Sequence, residues 1–246
     1  MSSFINGIQQ IGIGVSDAKA VFNWYREHLG FDILVFEDES PATLMTQYTG
    51  DEIRNRYALL AMNMKGGGGL EIWQFKDRKP KAAEIDTQWG DLGINVMKVR
   101  STTIEETHNQ LKTLQLALLT EIIRYEGSNT HFFFKDPWGN LVEVVSDSYI
   151  FCETKSNCGG VLGATIGVSD MENSIRFYQE LLRYDIIVSD RTGVFEDFKT
   201  LPNGHCSFRR VLLKHSSKKV SGFGELLGPT EIELIQALDY SPNKIY

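Results

Sequence analysis

Four side chains able to hold a hard cation or move a proton stand beside apolar residues in four separate segments. Glu71 lies in Leu70-Glu71-Ile72-Trp73-Gln74-Phe75, and Glu143 lies between Val142 and Val144. Asp91 opens Asp91-Leu92-Gly93-Ile94-Asn95-Val96, and Gln10 precedes Ile11-Gly12-Ile13-Gly14-Val15. Successive side chains of a strand point to opposite faces. Glu71, Trp73 and Phe75 therefore share one face, as do Asp91, Gly93 and Asn95. Gln10 opposes Ile11, and Glu143 opposes its two valines. An inward carboxylate can ligate a divalent ion or serve as a base, and it is costly to bury without a partner. Trp73 and Phe75 make a flat apolar wall suited to a ring or acyl chain. His131, on a strand beside these residues, can hydrogen-bond a substrate. Plainer roles compete: polar filling for Gln10, a strand start or turn for Asp91, a satisfied structural histidine at 131, and core packing for Trp73 and Phe75.

Other chemistries find less support. No Ser-His-Asp or Cys-His grouping can be assembled. The run Gly66 to Gly69 lacks a following Lys-Ser or Lys-Thr and precedes a strand, so it reads as a flexible hairpin and not a phosphate loop. Over 246 residues the net charge is −7, which argues against nucleic acid and anionic membranes as partners. No apolar run reaches the roughly 18 residues that span a bilayer. Met1-Ser2-Ser3-Phe4 lacks the features of an export signal. Cys152, Cys158 and Cys206 are irregularly spaced, so the expected setting is a reducing cytoplasm.

The elements that must position these residues repeat. Gly12-Ile13-Gly14-Val15-Ser16-Asp17 is echoed by Thr165-Ile166-Gly167-Val168-Ser169-Asp170, and Leu70-Glu71-Ile72-Trp73-Gln74 by Ile232-Glu233-Leu234-Ile235-Gln236. Such repeats mark units that bury their apolar faces against one another. The first unit reads β-α-β-β-β, with Ser16 or Asp17 capping a helix that Gly30 ends, then strands at 32–37, 57–63 and 70–75. The second has a strand at 91–99, a helix at 104–114, and strands at 118–125, 131–134 and 141–145. Asp136-Pro137-Trp138-Gly139 is a tight turn. The third starts near Gly160, with Ser169 and Glu172 as a capping box, and ends in a strand at 231–237. A fourth would begin about where the chain stops, so either the natural chain continues or another subunit supplies a neighbour.

With I-G-I-G-V-S-D before an aromatic-rich helix, L-E-I-W-Q-F, and F-F-F-K-D-P-W-G-N-L-V-E-V-V, the chain resembles the vicinal oxygen chelate superfamily of glyoxalases, bleomycin-resistance proteins and extradiol dioxygenases. The resemblance implies an α+β fold: tandem βαβββ units pair into curled, partly open mixed β-barrels with helices outside. Residues 1–149 are expected to form one paired domain holding the site. Residues 150–246 would be a third unit without a partner, covered by a homodimer through that unit.

The resemblance also implies a metal held by the first and fourth strands of both units, at Gln10, Glu71, Asp91 and Glu143. Glu143 and Glu71 become the catalytic bases, and Trp73, Phe75, Asn95 and His131 the substrate pocket. A divalent cation would relieve the repulsion between three carboxylates. The oxygen donors suit Mg, Mn or Ca, and the family pattern admits Ni or Zn. The implied activity is a metal-dependent isomerase or lyase acting on a small carbonyl or vicinal-oxygen compound. Glutathione linkage is not expected, because its binding positions carry Gly14, Phe75 and Thr87. The alternative is a metal-free protein of the same fold that binds or sequesters a small molecule.

Overall fold

The computed structural model describes residues 5–80, 87–124, 129–216 and 221–244. Met1 to Phe4, Tyr125 and Tyr246, which figure in the sequence reading, lie outside them. The first unit contains β1 (Gln10–Gly14), α1 (Ala18–Leu29), β2 (Ile33–Pro41), β3 (Asn55–Met62) and β4 (Gly69–Phe75). The second contains β5 (Gly93–Ser101), α2 (Ile104–Thr113), β6 (Ala117–Leu118), β7 (Ile123–Arg124), β8 (Thr130–Lys135) and β9 (Leu141–Ser146). The third contains β10 (Cys158–Gly167), α3 (Met171–Leu182), β11 (Ile186–Gly193), β12 (Phe208–Lys214), α4 (Ser221–Leu227) and β13 (Glu231–Ala237). The expected strand at 118–125 is thus two short pieces, and α4 was not anticipated. Asp17 caps α1, accepting from the Ala20 amide at 3.0 Å. Asp170, not Ser169, caps α3 in the same way. No described helix is long and apolar enough to cross a membrane.

Two open sheets result. The first unit makes a four-stranded sheet ordered β1-β4-β3-β2. The second and third units make one nine-stranded sheet, ordered β11-β12-β13-β10-β5-β9-β8-β6 with β7 on β8. Strand pairing joins the second unit to the third, through antiparallel β5 and β10 (Val161 opposite Val99), and among the described residues no strand of the second pairs with one of the first. The third unit therefore has a sheet neighbour within the chain, β5 beside β10. The unit whose first strand has no strand partner in another unit, among the described residues, is the first, where β1 pairs only with its own β4. The cause is the apolar distribution. The helix-bearing faces of units one and two are both apolar and share a core that includes Tyr25, Leu59, Leu70, Met97, Val99, Phe132, Phe134 and Val144. They meet through those faces and not edge to edge.

The turn after β8 locks this packing. Asp136 accepts from the amides of Trp138 and Asn140 and, through Oδ2, from the Tyr25 hydroxyl at 2.7 Å. Trp138 contacts Trp24 edge-on and stacks on Tyr25.

The glycine run is the β3–β4 hairpin connection, as expected, and it is tightly packed. Gly66 to Gly69 are all buried, and backbone passes where side chains would stand. A Cβ on Gly67, whose φ is +65°, would overlap the Leu226 carbonyl, and one on Gly68 would meet Val161. Gly67→Ala is expected to cost at least about 1–3 kcal/mol, through left-handed strain and the clash with α4. Urea unfolding measures it. A loss no greater than that of Gly50→Ala, a left-handed glycine with open space around it, would contradict the packing argument.

Candidate functional site

Charged residues in apolar strands define the centre of the nine-stranded sheet. Its four middle strands are β13, β10, β5 and β9, the first and last strands of the second and third units. Lys98 pairs in register with Glu143, and Thr165 with Glu233. Lys98 Nζ lies 2.5 Å from Glu231 Oε1, 3.4 Å from Glu233 Oε2 and 3.5 Å from Glu143 Oε2. Arg210 bonds Glu233 through Nε and, through a terminal nitrogen, Asp197 Oδ2 at 2.6 Å. His131 bridges two acids, with Nδ1 2.5 Å from Glu143 Oε1 and Nε2 3.3 Å from Asp197 Oδ2. Thr165 donates to Glu233, and Lys214 reaches Glu231 at 3.2 Å.

Lys98, His131, Glu143, Asp197, Arg210, Glu231 and Glu233 are all 2% exposed or less. At Lys98, His131, Asp197, Arg210, Glu231 and Glu233 burial opposes charge, and the neighbouring opposite charges prevail. Burial lowers the Lys98 pKa, but Glu143, Glu231 and Glu233 together hold it above its usual value. Burial likewise opposes the His131 imidazolium, yet bonds to Asp197 and Glu143 push it up to about 9. Glu233 is held low by Arg210 and Lys98 despite its burial. Four carboxylates thus meet Lys98, Arg210, Lys214 and a protonated His131. Phe133, Phe195, Phe198, Phe208 and Trp89 fill the adjoining interior.

The residues chosen from sequence do not converge on one centre. Gln10 and Glu71 do meet: Gln10 Nε2 donates to Glu71 Oε2 at 2.6 Å. Both are half-buried on the face of the first sheet that turns away from α1. Trp73 and Phe75 adjoin them in edge-on contact, with the Arg56 guanidinium 5.0 Å from the Trp73 ring and that of Arg78 4.3 Å from Phe75. Asp91 lies elsewhere, before β5. Its carboxylate accepts from the amides of Gln88 and Asn243, the turn role that competed with ligation. Glu143 is in the other sheet and engaged by Lys98 and His131. Of the four expected ligands the structure brings together Gln10 and Glu71, holds Asp91 in a turn, and places Glu143 between Lys98 and His131.

Asn95 lines a cleft of about 360 Å³ between the free edge of β1 and the start of β5. Its amide is already committed to Gly90, Asp91 and Gly93. Lys98, Arg210, Asp197 and Glu231 were missed. For Lys98, Arg210 and Glu231 the signal was present, as charges of both signs at inward positions of apolar strands, whereas Asp197 lies on the β11–β12 connection and carried no such signal.

A metal fits poorly at the sheet centre. Its carboxylates are spread around an ammonium already in contact with three of them. Among the described residues, no three His, Cys, Asp or Glu side chains are placed to hold an ion.

Comparison with known proteins agrees with this architecture. No curated protein matches the chain by sequence. Glyoxalase I from Zea mays superposes with a TM-score of 0.55 at 15% identity, over 96% of this chain and 69% of that one. A putative dioxygenase from Bacillus subtilis superposes with a TM-score of 0.54 at 17% identity, over 95% of this chain and 64% of that one. At such identities the likeness shows the fold alone. The family profile described as Glyoxalase/Bleomycin resistance protein/Dioxygenase superfamily matches residues 7–144. The chain belongs to that superfamily, the vicinal oxygen chelate proteins.

Proposed function

We propose that the protein binds a small ring-bearing compound with neighbouring oxygens on the open face of the first unit. The observation that carries this is the half-exposed Gln10–Glu71 pair beside the Trp73–Phe75 wall. Every other candidate carboxylate is consumed by internal partners. A ring stacks on Trp73, and adjacent hydroxyls donate to Glu71 while Gln10 offers one donor and one acceptor. This is the metal-free alternative of the sequence reading.

Catechol serves as the probe, titrated in the presence of EDTA and followed by tryptophan emission. Saturable binding is expected, weakened about tenfold or more by Trp73→Ala and by Glu71→Gln, since each removes about 1.4 kcal/mol or more. Binding that ignores both substitutions would sink the proposal.

The Gln10–Glu71 pair also favours a second reading at the same place, a metal-dependent isomerase or lyase acting on a small carbonyl compound. The pair would hold a divalent ion of the Mg, Mn, Ca, Ni or Zn group, with water or substrate completing its shell. The ion would supply Lewis-acid stabilisation of an enolate. Glu71 would then be the base, since it alone among the candidate carboxylates is half-exposed and shares a face with the wall. Glutathione is not the expected carrier, because Gly14, Phe75 and Thr87 offer it no guanidinium or amide anchor. Ion uptake abolished by Glu71→Gln but not by Glu143→Gln distinguishes this reading from the metal-free one.

A further inference from the structure

We infer that the Lys98 ammonium is the resident cation of the sheet centre formed by the second and third units, filling the place among Glu143, Glu231 and Glu233 that a divalent ion would need. Its Nζ reaches all three carboxylates within 3.5 Å, from the middle of an otherwise apolar stretch of β5. The three acids come from two strands, β9 and β13, on either side of β5 and β10. No single neighbour satisfies the group. Lys98 makes contact with both units at once, so it joins them electrostatically as β5 and β10 join them by hydrogen bonds.

The charge inventory supports the assignment. Arg210 and His131 serve Asp197 and one oxygen each of Glu233 and Glu143, while Lys214 serves the outer oxygen of Glu231. Of the remaining oxygens, Glu143 Oε2, Glu231 Oε1 and Glu233 Oε2 face Lys98, and Asp197 Oδ1 does not. Adding a dication to this balanced set would leave excess positive charge in a closed interior. Removing the ammonium would leave Glu143 Oε2 and Glu231 Oε1 without a cation and Glu233 Oε2 with the Thr165 hydroxyl alone, and carboxylate oxygens are the donors a hard divalent ion selects. The centre is therefore an ion-pair core in the native chain, and since its side chains are not placed to hold an ion, uptake in a chain without Lys98 requires the carboxylates to close on it. The inference is independent of the reading of the first unit, because it concerns Glu143 and not Glu71.

Uptake of Mn²⁺ and Ni²⁺ by the full chain tests it, measured by equilibrium dialysis on wild type, Glu143→Gln, Lys98→Ala and the Lys98→Ala/Glu143→Gln double variant. Glu143→Gln is expected to leave the wild-type ion content unchanged. Lys98→Ala should gain about one ion per chain relative to wild type, and the double variant should lose it. If Lys98→Ala is unfolded in EDTA, the readout becomes its thermal transition. A transition restored by Mn²⁺ or Ni²⁺ supports the inference, and continued absence overturns it. A wild-type ion lost in Glu143→Gln also overturns it, as does a folded Lys98→Ala that takes up no ion. Lys98→Arg keeps the charge and should fold without gaining metal. A gained ion there would overturn the assignment.

Discussion

Arg210→Met is expected to reduce the free energy of unfolding by about 3–5 kcal/mol, the cost of stripping one partner from a buried ion pair. The side chain bonds Glu233 and Asp197 and lies over the Phe198 ring, 4.4 Å from its centroid. Methionine retains much of the apolar stem but leaves both carboxylates with one cation fewer in a dry interior. Urea denaturation measures the loss. The double variant Arg210→Met/Glu233→Gln should recover part of it, because the second change removes one stranded charge. A single-variant loss below about 1 kcal/mol, the scale of an exposed pair, would show that the cluster is hydrated and not closed.

Alkaline pH should weaken the fold through His131. Its pKa rises from 6.5 unfolded to about 9 folded, so the folded state holds the proton more tightly. That stabilisation is complete below about 6.5 and disappears as pH rises through about 9, an effect of about 3 kcal/mol. The groups facing the ring are Glu143 on β9 and Asp197 on the β11–β12 connection. Both lose their imidazolium partner when His131 deprotonates. Unfolding midpoints at about pH 6 and about pH 10 should differ accordingly in the native chain. The difference should shrink in His131→Gln, which controls for tyrosine and cysteine ionisation. Identical pH dependence in the two proteins would rule out His131 as the cause.

Much of this was legible locally. Alternation about Glu71 placed it with Trp73 and Phe75, and the same rule placed Gln10 on the matching side of β1, where the two side chains now bond. Asp17 and Gly30 marked the ends of α1 by the capping chemistry that the structure shows. The charged core was legible in part. Lys98 interrupts Val96-Met97 and Val99, Arg210 precedes Val211, and Glu231 and Glu233 alternate with Ile232 and Leu234. Charges at such positions must find opposite charges, because an isolated buried ion is too costly to retain. Which strands would supply those charges could not be read, because pairing between units is non-local.

The sequence by itself determined the superfamily, the three repeated units, the order of elements in the first and the side of its strands that would be apolar. These follow from periodicity and turn chemistry, which act over a few residues. Tertiary structure decided which units share a sheet. Three first strands of similar character competed for partners, and the apolar faces shared by units one and two left β5 free to bond β10. That choice moved Glu143 away from Gln10 and Glu71 and placed it against Lys98. It turned an expected metal ligand into one member of a neutralised core, because a carboxylate's role depends on which charge the fold brings within a few ångströms of it.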